Sequence, residues 1–349
     1  SEDILRNAML AFDAGYAWPV HDIEHMPMAP GENDAANRIS TDGNTMIALG
    51  LIAGGCRFGA GYPITPWTTI MEFLRTELPK YNGMFIQCED EIASVSMAIG
   101  SSYGGRVGVT GSSGPGISLK TEAIGWAVMA EIPLVIVDIQ RGGPSTGLPT
   151  NVEQSDLNIA CFGGHGDSPR VVLAAANVED CFYTAIEAVN IAREFSVPVF
   201  LLSDQAIATR IEAFDEPDLK NVCQDLTPDL TPVQTHKPYD LNTETGASNH
   251  LVPGTRIEDG RYPVVTGLEH DEMGHPSSSP DLHEAMTRKR RNKLKALSDK
   301  LPIPEVYGAQ SGEVLVVGWG STTGPLYEAV EKSGNNGQAI SALKLRHIK

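Results

Sequence analysis

Four short segments between Gly61 and Thr150 hold most of the residues in this chain that could do chemistry. Each follows a strand-like apolar run and precedes a turn or a helix. The carboxyl ends of the strands form the ligand-binding edge of an open parallel sheet. Together they therefore predict one binding site at that edge. The segments are 61–66 (Gly-Tyr-Pro-Ile-Thr-Pro), 87–91 (Gln-Cys-Glu-Asp-Glu), 113–116 (Ser-Gly-Pro-Gly) and 141–147 (Arg-Gly-Gly-Pro-Ser-Thr-Gly).

Two of these segments carry charged groups suited to a site. The acids Glu89, Asp90 and Glu91 stand at a predicted helix start, where carboxylates stabilise the helix through its dipole. The functional alternative is one carboxylate aimed into a pocket. Arg141 follows the most hydrophobic strand, where its fork could hold a carboxylate through two parallel hydrogen bonds. The alternative for Arg141 is a surface ion pair.

Two loops add backbone and imidazole groups. The amides of Ser113-Gly-Pro-Gly116 could receive an anion or a polar ligand at a helix start, although the segment lacks the lysine of a phosphate-binding loop. Equally, the glycines there could serve only a sharp turn. His165, between Gly164 and Gly166, is a candidate polar ligand or acid–base group, with a turn residue as the alternative.

The elements that must position these residues alternate regularly between 43 and 214. Continuous apolar strands that alternate with helices predict a doubly wound parallel sheet covered on both faces. The predicted strands are 57–61, 84–88, 106–110, 133–139, 170–175 and 197–202, and the predicted helices are 45–52, 67–78, 91–103, 117–130 and 180–194.

The flanking regions follow different patterns. Residues 1–42 predict a short helix, 4–15, followed by a proline-rich linker, and 312–349 predict the start of a second, partial α/β domain. Because one βαβ unit cannot cover a sheet alone, we expect the natural chain to be longer, or another polypeptide to complete this domain. The turn Gly318-x-Gly320-x-x-x-Gly324 resembles a dinucleotide fingerprint with the wrong spacing, and is interpreted as a tight turn.

The segment 215–311 is predicted to be an irregular connection that wraps a surface or covers a site. Within it, the basic run 287–295 (Thr-Arg-Lys-Arg-Arg-Asn-Lys-Leu-Lys) falls on a predicted helix, 282–297. We interpret the run as the solvated face of that helix, with an anionic substrate or cofactor phosphate as the alternative ligand.

Composition restricts the partners. The chain has 349 residues, 41% of them hydrophobic, and a formal net charge of -18, which argues against nucleic acid and anionic membranes as partners. The five cysteines form no CxxC pair, and no stretch approaches the roughly 20 apolar residues of a membrane span. With no targeting pattern at the start, these features predict a cytoplasmic protein with reduced thiols.

Taken together, the segments resemble the α subunit of 2-oxoacid:ferredoxin oxidoreductases, in particular its 2-oxoglutarate branch. The resemblance covers residues 43–349, and residues 1–42 resemble the tail of a γ domain that some members carry ahead of the α domain. The stretches that carry it are 62–66, 87–91, 113–116, 141–150, 153–156 and 165–167, with Gly267-Leu-Glu-His-Asp271 and the basic run.

The resemblance implies a reaction and a division of labour. The family decarboxylates a 2-oxoacid oxidatively with coenzyme A, giving acyl-CoA, carbon dioxide and reduced ferredoxin, with thiamine diphosphate as cofactor. The α subunit supplies the pyrimidine half of the site. A β subunit supplies the Mg²⁺-diphosphate half and a [4Fe-4S] cluster, and two αβ units assemble. The implied domains are a pyrimidine-type domain, 43–214, and the start of a transketolase C-terminal-like domain, 312–349.

The resemblance also implies roles for individual residues. Glu91 matches the glutamate that bonds the aminopyrimidine N1′ and activates the cofactor. Thr65 matches the threonine that contacts substrate near the reacting carbon, and Arg141 the arginine that approaches the 2-oxoacid carboxylate. Weaker matches for the distal carboxylate of 2-oxoglutarate are Ser145, Thr146 and His165, and the implied cofactor contacts besides Glu91 are Tyr62, Pro63, Ile64, Ser113 and Gly114.

Three alternatives stay open. Within the family, the substrate could be a branched-chain 2-oxoacid or pyruvate, and the physiological direction could be reductive carboxylation. Outside it, the Gly318 turn could belong to a nicotinamide-dependent dehydrogenase. A third reading is a catalytically silent scaffold subunit that makes no contact with thiamine diphosphate.

Overall fold

The computed structural model describes residues 2–18, 37–219, 222 and 228–349. They form two compact units, Ser1–Arg38 and Ile39–Lys349. The first unit contains helix α1 (Glu2–Tyr16), which corresponds to the helix predicted over 4–15. The linker predicted after it lies, except for its ends, outside the described residues.

A six-stranded, fully parallel sheet forms the centre of the second unit. Its spatial order is β3-β2-β4-β5-β7-β6, and every neighbouring pair is parallel, which confirms the predicted doubly wound sheet. The strands are β2 (Phe58–Gly61), β3 (Met84–Gln87), β4 (Gly108–Ser112), β5 (Leu134–Gln140), β6 (Val171–Ala174) and β7 (Pro198–Asp204).

Helices cover both faces of this sheet because its strands are apolar on both sides. In β5, Val135 and Val137 belong to one core, while Leu134 and Ile136 belong to the opposite one. The first core is closed by α2 (Gly43–Ala53), α3 (Thr68–Glu77) and α7 (Val178–Phe195), and the second by α4 (Glu91–Tyr103), α5 (Gly114–Met129) and α6 (Leu157–Phe162).

Two boundaries differ from the prediction for local reasons. Helix α5 begins three residues earlier than predicted, at Gly114, because Pro115 in its first turn has no amide to satisfy there. Strand β4 begins two residues later, at Gly108, since 104–106 form the turn that ends α4. As a result, β4 ends at Ser112 and α5 begins at Gly114, so Ser113 of the predicted site lies directly between the strand and the helix.

A second, smaller sheet follows, as predicted. Strands β10 (Val314–Trp319) and β11 (Ile340–Leu345) are parallel and joined by α10 (Thr323–Asn335), with β9 (Val306–Gly308) antiparallel to β11. The chain after β11 then pairs with the edge strand β6, where the Val172 amide donates to Lys349 O at 2.7 Å. The last residues thus tie the smaller sheet to the main one.

The connection between the two sheets is largely irregular over its described residues, 216–219, 222 and 228–279. It is preceded by α8 (Gln205–Thr209) and by β8 (Ile211–Asp215), which pairs with β1 (Arg38–Asp42), and it ends at α9 (Pro280–Ser298). Neither α8 nor this short strand pair was predicted. Each has five residues, which is too short for an apolar period to be recognised.

The interpretation of the basic run as a solvated face is wrong for three of its residues. Lys289, Arg290 and Lys293 are buried on α9. The Glu131 carboxylate lies 2.5 Å from Lys289 Nζ and 2.7 Å from Lys293 Nζ, and Glu269 pairs with Arg290 at 3.0 Å. These three residues instead fix α9 to the turn after α5 and to the irregular connection through ion pairs.

Candidate functional site

The strand order places the predicted segments around one crevice. From β2 the chain goes outward to β3, then crosses back over β2 to β4, so the order reverses between β2 and β4. Such a reversal opens a crevice at the carboxyl ends of the strands, where ligands bind. Residues 62–66 and 113–116 follow the two strands that flank it. Strand pairing sets Gly61 beside Gln87, which brings the third segment to the same edge.

The three acidic residues after β3 have different roles. Asp90 is the N-cap of α4, and its carboxylate accepts the Ala93 amide at 2.7 Å. Glu89 is exposed, whereas Glu91, the first residue of α4, is only 8% exposed. No hydrogen bond joins the Glu91 carboxylate to another described residue. Because Asp90 caps the helix, capping does not explain the buried carboxylate of Glu91.

A glycine makes room for that carboxylate. A Cβ on Gly116 would lie 2.8 Å from Glu91 Oε1 and 1.9 Å from Ser112 Oγ, so no larger residue fits at 116 without a shift. The hydroxyls of Ser112 and Ser113 are buried, and neither has a hydrogen-bond partner among the described residues. Unpartnered buried polar atoms are rare, and here they accompany an unpartnered carboxylate. This group of atoms is suited to a polar ligand.

Sequence reasoning missed Lys120, which is fully buried in α5. Its amine donates to Glu91 O at 3.0 Å and to Ser94 Oγ at 2.6 Å. Burial lowers the pKa of Lys120 to about 8, while the nearby Glu91 carboxylate opposes that shift. The sequence contained a signal for a buried lysine, because the spacing of Ile117, Lys120 and Ile124 puts all three on one face of a helix, and that face is buried.

Arg141 joins two of the loops. It is only 4% exposed, which rules out the surface ion pair. Its Nη1 donates to Thr65 O at 2.7 Å and its Nη2 to Thr146 O at 2.9 Å. Nε is buried and has no partner among the described residues. Since each terminal nitrogen carries two hydrogens, Arg141 keeps N–H groups available for a ligand.

The loop after Arg141 is held in a tight conformation. Gly147 has a φ of 54°, and a Cβ there would lie 1.9 Å from Gly142 O. The Leu148 amide donates to the same carbonyl at 2.8 Å. Ser145, with a φ of 59°, and Thr146 are exposed on this loop. The structure therefore brings Ser145 and Thr146 to the same part of the edge as Arg141 and Thr65.

The helix start at Ser113–Gly116 is partly occupied by the protein itself. The Gly114 amide donates to Asp156 Oδ2 at 3.0 Å, so an external anion has no access to that amide. Asp156 contacts Asp138 of β5, which is fully buried. Burial and the Asp156 carboxylate raise the pKa of Asp138 well above its usual range. The neutral form of Asp138 is therefore favoured next to the Asp156 carboxylate, which holds the start of α5 through the Gly114 amide.

The implied cofactor contacts lie close to these groups. Tyr62 is exposed at the crevice, Pro63 is half-buried, and Ile64 packs against the core that α3 closes. Ser113 is the N-cap of α5, yet its side chain makes no capping hydrogen bond. The buried Ser113 hydroxyl is thus left without a partner among the described residues.

His165 lies elsewhere. It lines a cavity of 580 Å³ together with Trp126, Glu269, His283 and Arg290. Trp126 stands twelve residues after Gly114 on α5, which corresponds to about 18 Å along the helix. The structure therefore does not bring His165 to the crevice that holds Glu91.

The Gly318 turn is used in packing. Gly320 has a φ of 66°, and a Cβ there would meet Gln154 Nε2 at 2.5 Å. Gln154 donates to Trp319 O at 3.3 Å, which ties the smaller sheet to the loop after Arg141. This agrees with a tight turn.

Within the described residues, no group of three or more His, Cys, Asp or Glu side chains is arranged to hold a metal ion. None of the helices in this part of the chain is long and apolar enough to cross a membrane. The described cysteines, Cys56, Cys88, Cys161 and Cys181, are unpaired.

Comparison with known proteins identifies relatives of the whole chain. It is 38% identical to the 2-oxoglutarate oxidoreductase subunit KorA of Mycobacterium tuberculosis, over 99% of this chain and 54% of that protein. It is also 38% identical to the 2-oxoglutarate synthase subunit KorA of Methanocaldococcus jannaschii, over 87% of this chain and 80% of that protein. The chain thus spans only about half of the length of the first relative.

A solved structure resembles the chain throughout its length. It is the 2-oxoglutarate:ferredoxin oxidoreductase from Magnetococcus marinus with 2-oxoglutarate, coenzyme A and succinyl-CoA bound. The TM-score is 0.88 and the identity 38%, covering 100% of this chain and 60% of that one. A family model, the thiamine diphosphate-binding domain of pyruvate flavodoxin/ferredoxin oxidoreductases, matches residues 49–289. The match includes every strand of the main sheet, and the chain belongs to this family of thiamine diphosphate-binding oxidoreductase domains.

Proposed function

We propose that this chain is the α subunit of a 2-oxoglutarate:ferredoxin oxidoreductase. The complete enzyme decarboxylates 2-oxoglutarate with coenzyme A to succinyl-CoA and carbon dioxide and passes two electrons to ferredoxin, in a reversible reaction. The observation that carries the proposal is the largely buried side chain of Glu91 at the crevice between β2 and β4, whose carboxylate has no hydrogen-bond partner among the described residues.

The residues around Glu91 fit the aminopyrimidine ring of thiamine diphosphate. A planar ring with nitrogen donors and acceptors matches a buried carboxylate, the unpartnered hydroxyl of Ser113 and the close approach at Gly116. When bound, the cofactor supplies the electron sink for decarboxylation. Glu91 exchanges a proton with the ring nitrogen N1′, which tunes the basicity of the ring. Tyr62, Pro63, Ile64 and Gly114 form the walls of this half-site.

Arg141 and Thr65 face the substrate in this proposal. The free N–H groups of Arg141 hold the 2-oxoacid carboxylate, while its bonds to the Thr65 and Thr146 carbonyls fix the guanidinium. Ser145 and Thr146 lie on the exposed loop next to Arg141 and are assigned to the distal carboxylate. His165 is assigned no contact with this substrate, because it lies in the separate cavity beside Trp126.

A partner completes the site. We assign the Mg²⁺-diphosphate half and the [4Fe-4S] cluster to a β subunit, and the working assembly to two αβ units that reduce ferredoxin. Support comes from the names of the relatives, which are subunits, such as subunit alpha of 2-oxoacid:ferredoxin oxidoreductase 1 of Aeropyrum pernix. We assign 43–214 to the pyrimidine-binding domain, 312–349 to the start of the C-terminal α/β domain and 1–42 to a γ-like tail.

Substrate competition in the assembled enzyme tests this proposal. Ferredoxin reduction is measured with 2-oxoglutarate, pyruvate and a branched-chain 2-oxoacid, each with and without coenzyme A. The expected result is CoA-dependent reduction, with kcat/KM highest for 2-oxoglutarate. A higher value for either competitor would reassign the substrate, and electron transfer to a nicotinamide instead would reject the family reaction.

A further inference from the structure

The surroundings of the Lys120 amine are unusual for a buried cation. Its three hydrogen-bond acceptors are Glu91 O at 3.0 Å, Ser94 Oγ at 2.6 Å and Thr110 Oγ1 at 3.2 Å. None of them is a carboxylate oxygen. A fully buried charge is costly unless an opposite charge compensates it. The packing of this helix face therefore does not account for a lysine, since a leucine or methionine would fill the same space without that cost.

Its position relative to α4 adds to the cost. Glu91 is the first residue of α4, so the ammonium lies at the N-terminal turn of that helix. The helix dipole places partial positive charge there, which disfavours a cation. The acids Glu91 and Asp90 on α4, and Cys88 just before it, are the titratable groups that face Lys120, and Glu91 favours the charged amine most. The neighbours from β4 and from inside α4, Thr110 and Ser94, are neutral.

We propose that Lys120 is a positioning residue for Glu91: its ammonium holds the carbonyl oxygen of residue 91 and so fixes where the Glu91 carboxylate lies. The inference rests on the proposed function, in which Glu91 exchanges a proton with the cofactor ring. The ammonium and the Glu91 carboxylate also carry opposite charges, so they attract each other. The free-energy cost of burying the amine is then offset by a functional role of Lys120 in the site.

A double-mutant cycle on the unfolding of this chain tests the charge interaction without any turnover. The variants are Lys120→Met, Glu91→Gln and the double variant, followed by urea unfolding at pH 7. If the ammonium interacts with the carboxylate, the combined effect on the unfolding equilibrium constant departs from the product of the single effects by roughly tenfold. Equal effects of Lys120→Met in both backgrounds would show a packing role only and overturn the proposal.

A single substitution covers the case in which Lys120→Met does not fold. Glu91→Gln removes the counter-charge of the ammonium, whereas Glu89→Gln removes an exposed acid two residues away. Glu91→Gln is therefore expected to lower the urea midpoint more than Glu89→Gln does. Equal midpoints for the two variants would show that Lys120 does not depend on the Glu91 charge.

Steady-state kinetics of the assembled enzyme provide the second readout. Without the ammonium, the carbonyl of residue 91 loses its side-chain donor, so Lys120→Met should lower kcat about tenfold or more while KM for 2-oxoglutarate changes little. Ser94→Ala removes one acceptor of the amine but keeps its bond to the Glu91 carbonyl, and should leave kcat within about twofold. An equal loss of kcat in both variants, or in neither, would contradict the positioning role.

The two proposals fail separately. Near-normal turnover of Glu91→Gln would reject the proposed function, while coupling between residues 91 and 120 in unfolding would still stand. Loss of turnover in Glu91→Gln together with no coupling would reject only the role of Lys120.

Discussion

Glu91 Oε1 lies so close to Gly116 that a Cβ on the glycine would be 2.8 Å away. Glu91 begins α4 and Gly116 lies in the first turn of α5, and these helices follow strands β3 and β4 on either side of β2. The contact therefore depends on the crossover from β3 to β4. The contact joins Glu91, the acid of the proposed site, to the first turn of α5.

Replacement of Glu91 by glutamine is the direct test of that acid. Glutamine keeps the size of the side chain but cannot exchange a proton with the ring nitrogen, so ferredoxin reduction should fall by about 10²-fold or more. Assembly should be unchanged, as checked by size-exclusion chromatography. Glu89→Gln is the matched control and should retain turnover, because Glu89 is exposed. Similar turnover in both variants would remove Glu91 from the mechanism.

Gly116→Ala should distort the same contact. The new methyl group would lie 1.9 Å from Ser112 Oγ, so the start of α5 must shift, at a cost of about 1–3 kcal/mol in the free energy of unfolding. Turnover should fall with it. Gly125→Ala, later in α5, meets no atom within 4 Å and should stabilise the helix by roughly 0.5–1 kcal/mol. Urea unfolding that ranks the two variants the other way would contradict this geometry.

Arg141→Lys should separate anchoring from charge. A lysine keeps the positive charge but cannot reach the Thr65 and Thr146 carbonyls and a ligand carboxylate together. We expect KM for the 2-oxoacid to rise about tenfold or more, with a smaller change in kcat. Steady-state kinetics measure both values. An unchanged KM would exclude Arg141 as the carboxylate anchor.

Asp138→Asn should be tolerated and should change the pH dependence of stability. The folded-state pKa of Asp138 is raised. Its neutral form therefore stabilises the protein fully below the unfolded-state pKa, near 4, and this stabilisation is lost as pH rises through the folded-state pKa. Asparagine keeps the size of the side chain and does not titrate. The variant should therefore gain stability relative to the wild type as pH increases from about 4. Parallel stability curves would show that Asp138 is ionised.

Glu131→Gln should damage the attachment of α9. The Glu131 carboxylate is the shared partner of Lys289 and Lys293, all three being buried. Its loss leaves two buried ammonium groups without a counter-charge, and the free energy of unfolding should drop by roughly 3–5 kcal/mol. Glu284→Gln, on the exposed face of α9, is the control and should change it by less than about 0.5 kcal/mol. Comparable midpoints for both would show that the ion pairs contribute nothing net.

The sequence by itself determined the sheet and the place of the site. The apolar run 133–139 predicts a strand buried on both sides, which requires a parallel sheet under helices, and β5 has that form. Because the side chains that follow such strands meet at one edge, the neighbourhood of Glu91, Thr65 and Arg141 could be predicted from motif order alone. The motifs also indicated the family that the comparisons show.

Only the tertiary structure decided which buried polar groups meet. Lys120 contacts the backbone of Glu91 across 29 residues, and Lys289 contacts Glu131 across 158. Helical spacing shows which face of α5 or α9 a lysine occupies, but not which acid lies opposite, because that depends on how distant elements pack. The same holds for His165, which the family resemblance matched to the substrate, whereas the course of the loop places it beside the far half of α5. Periodicity describes one element at a time, whereas a site is built where several meet.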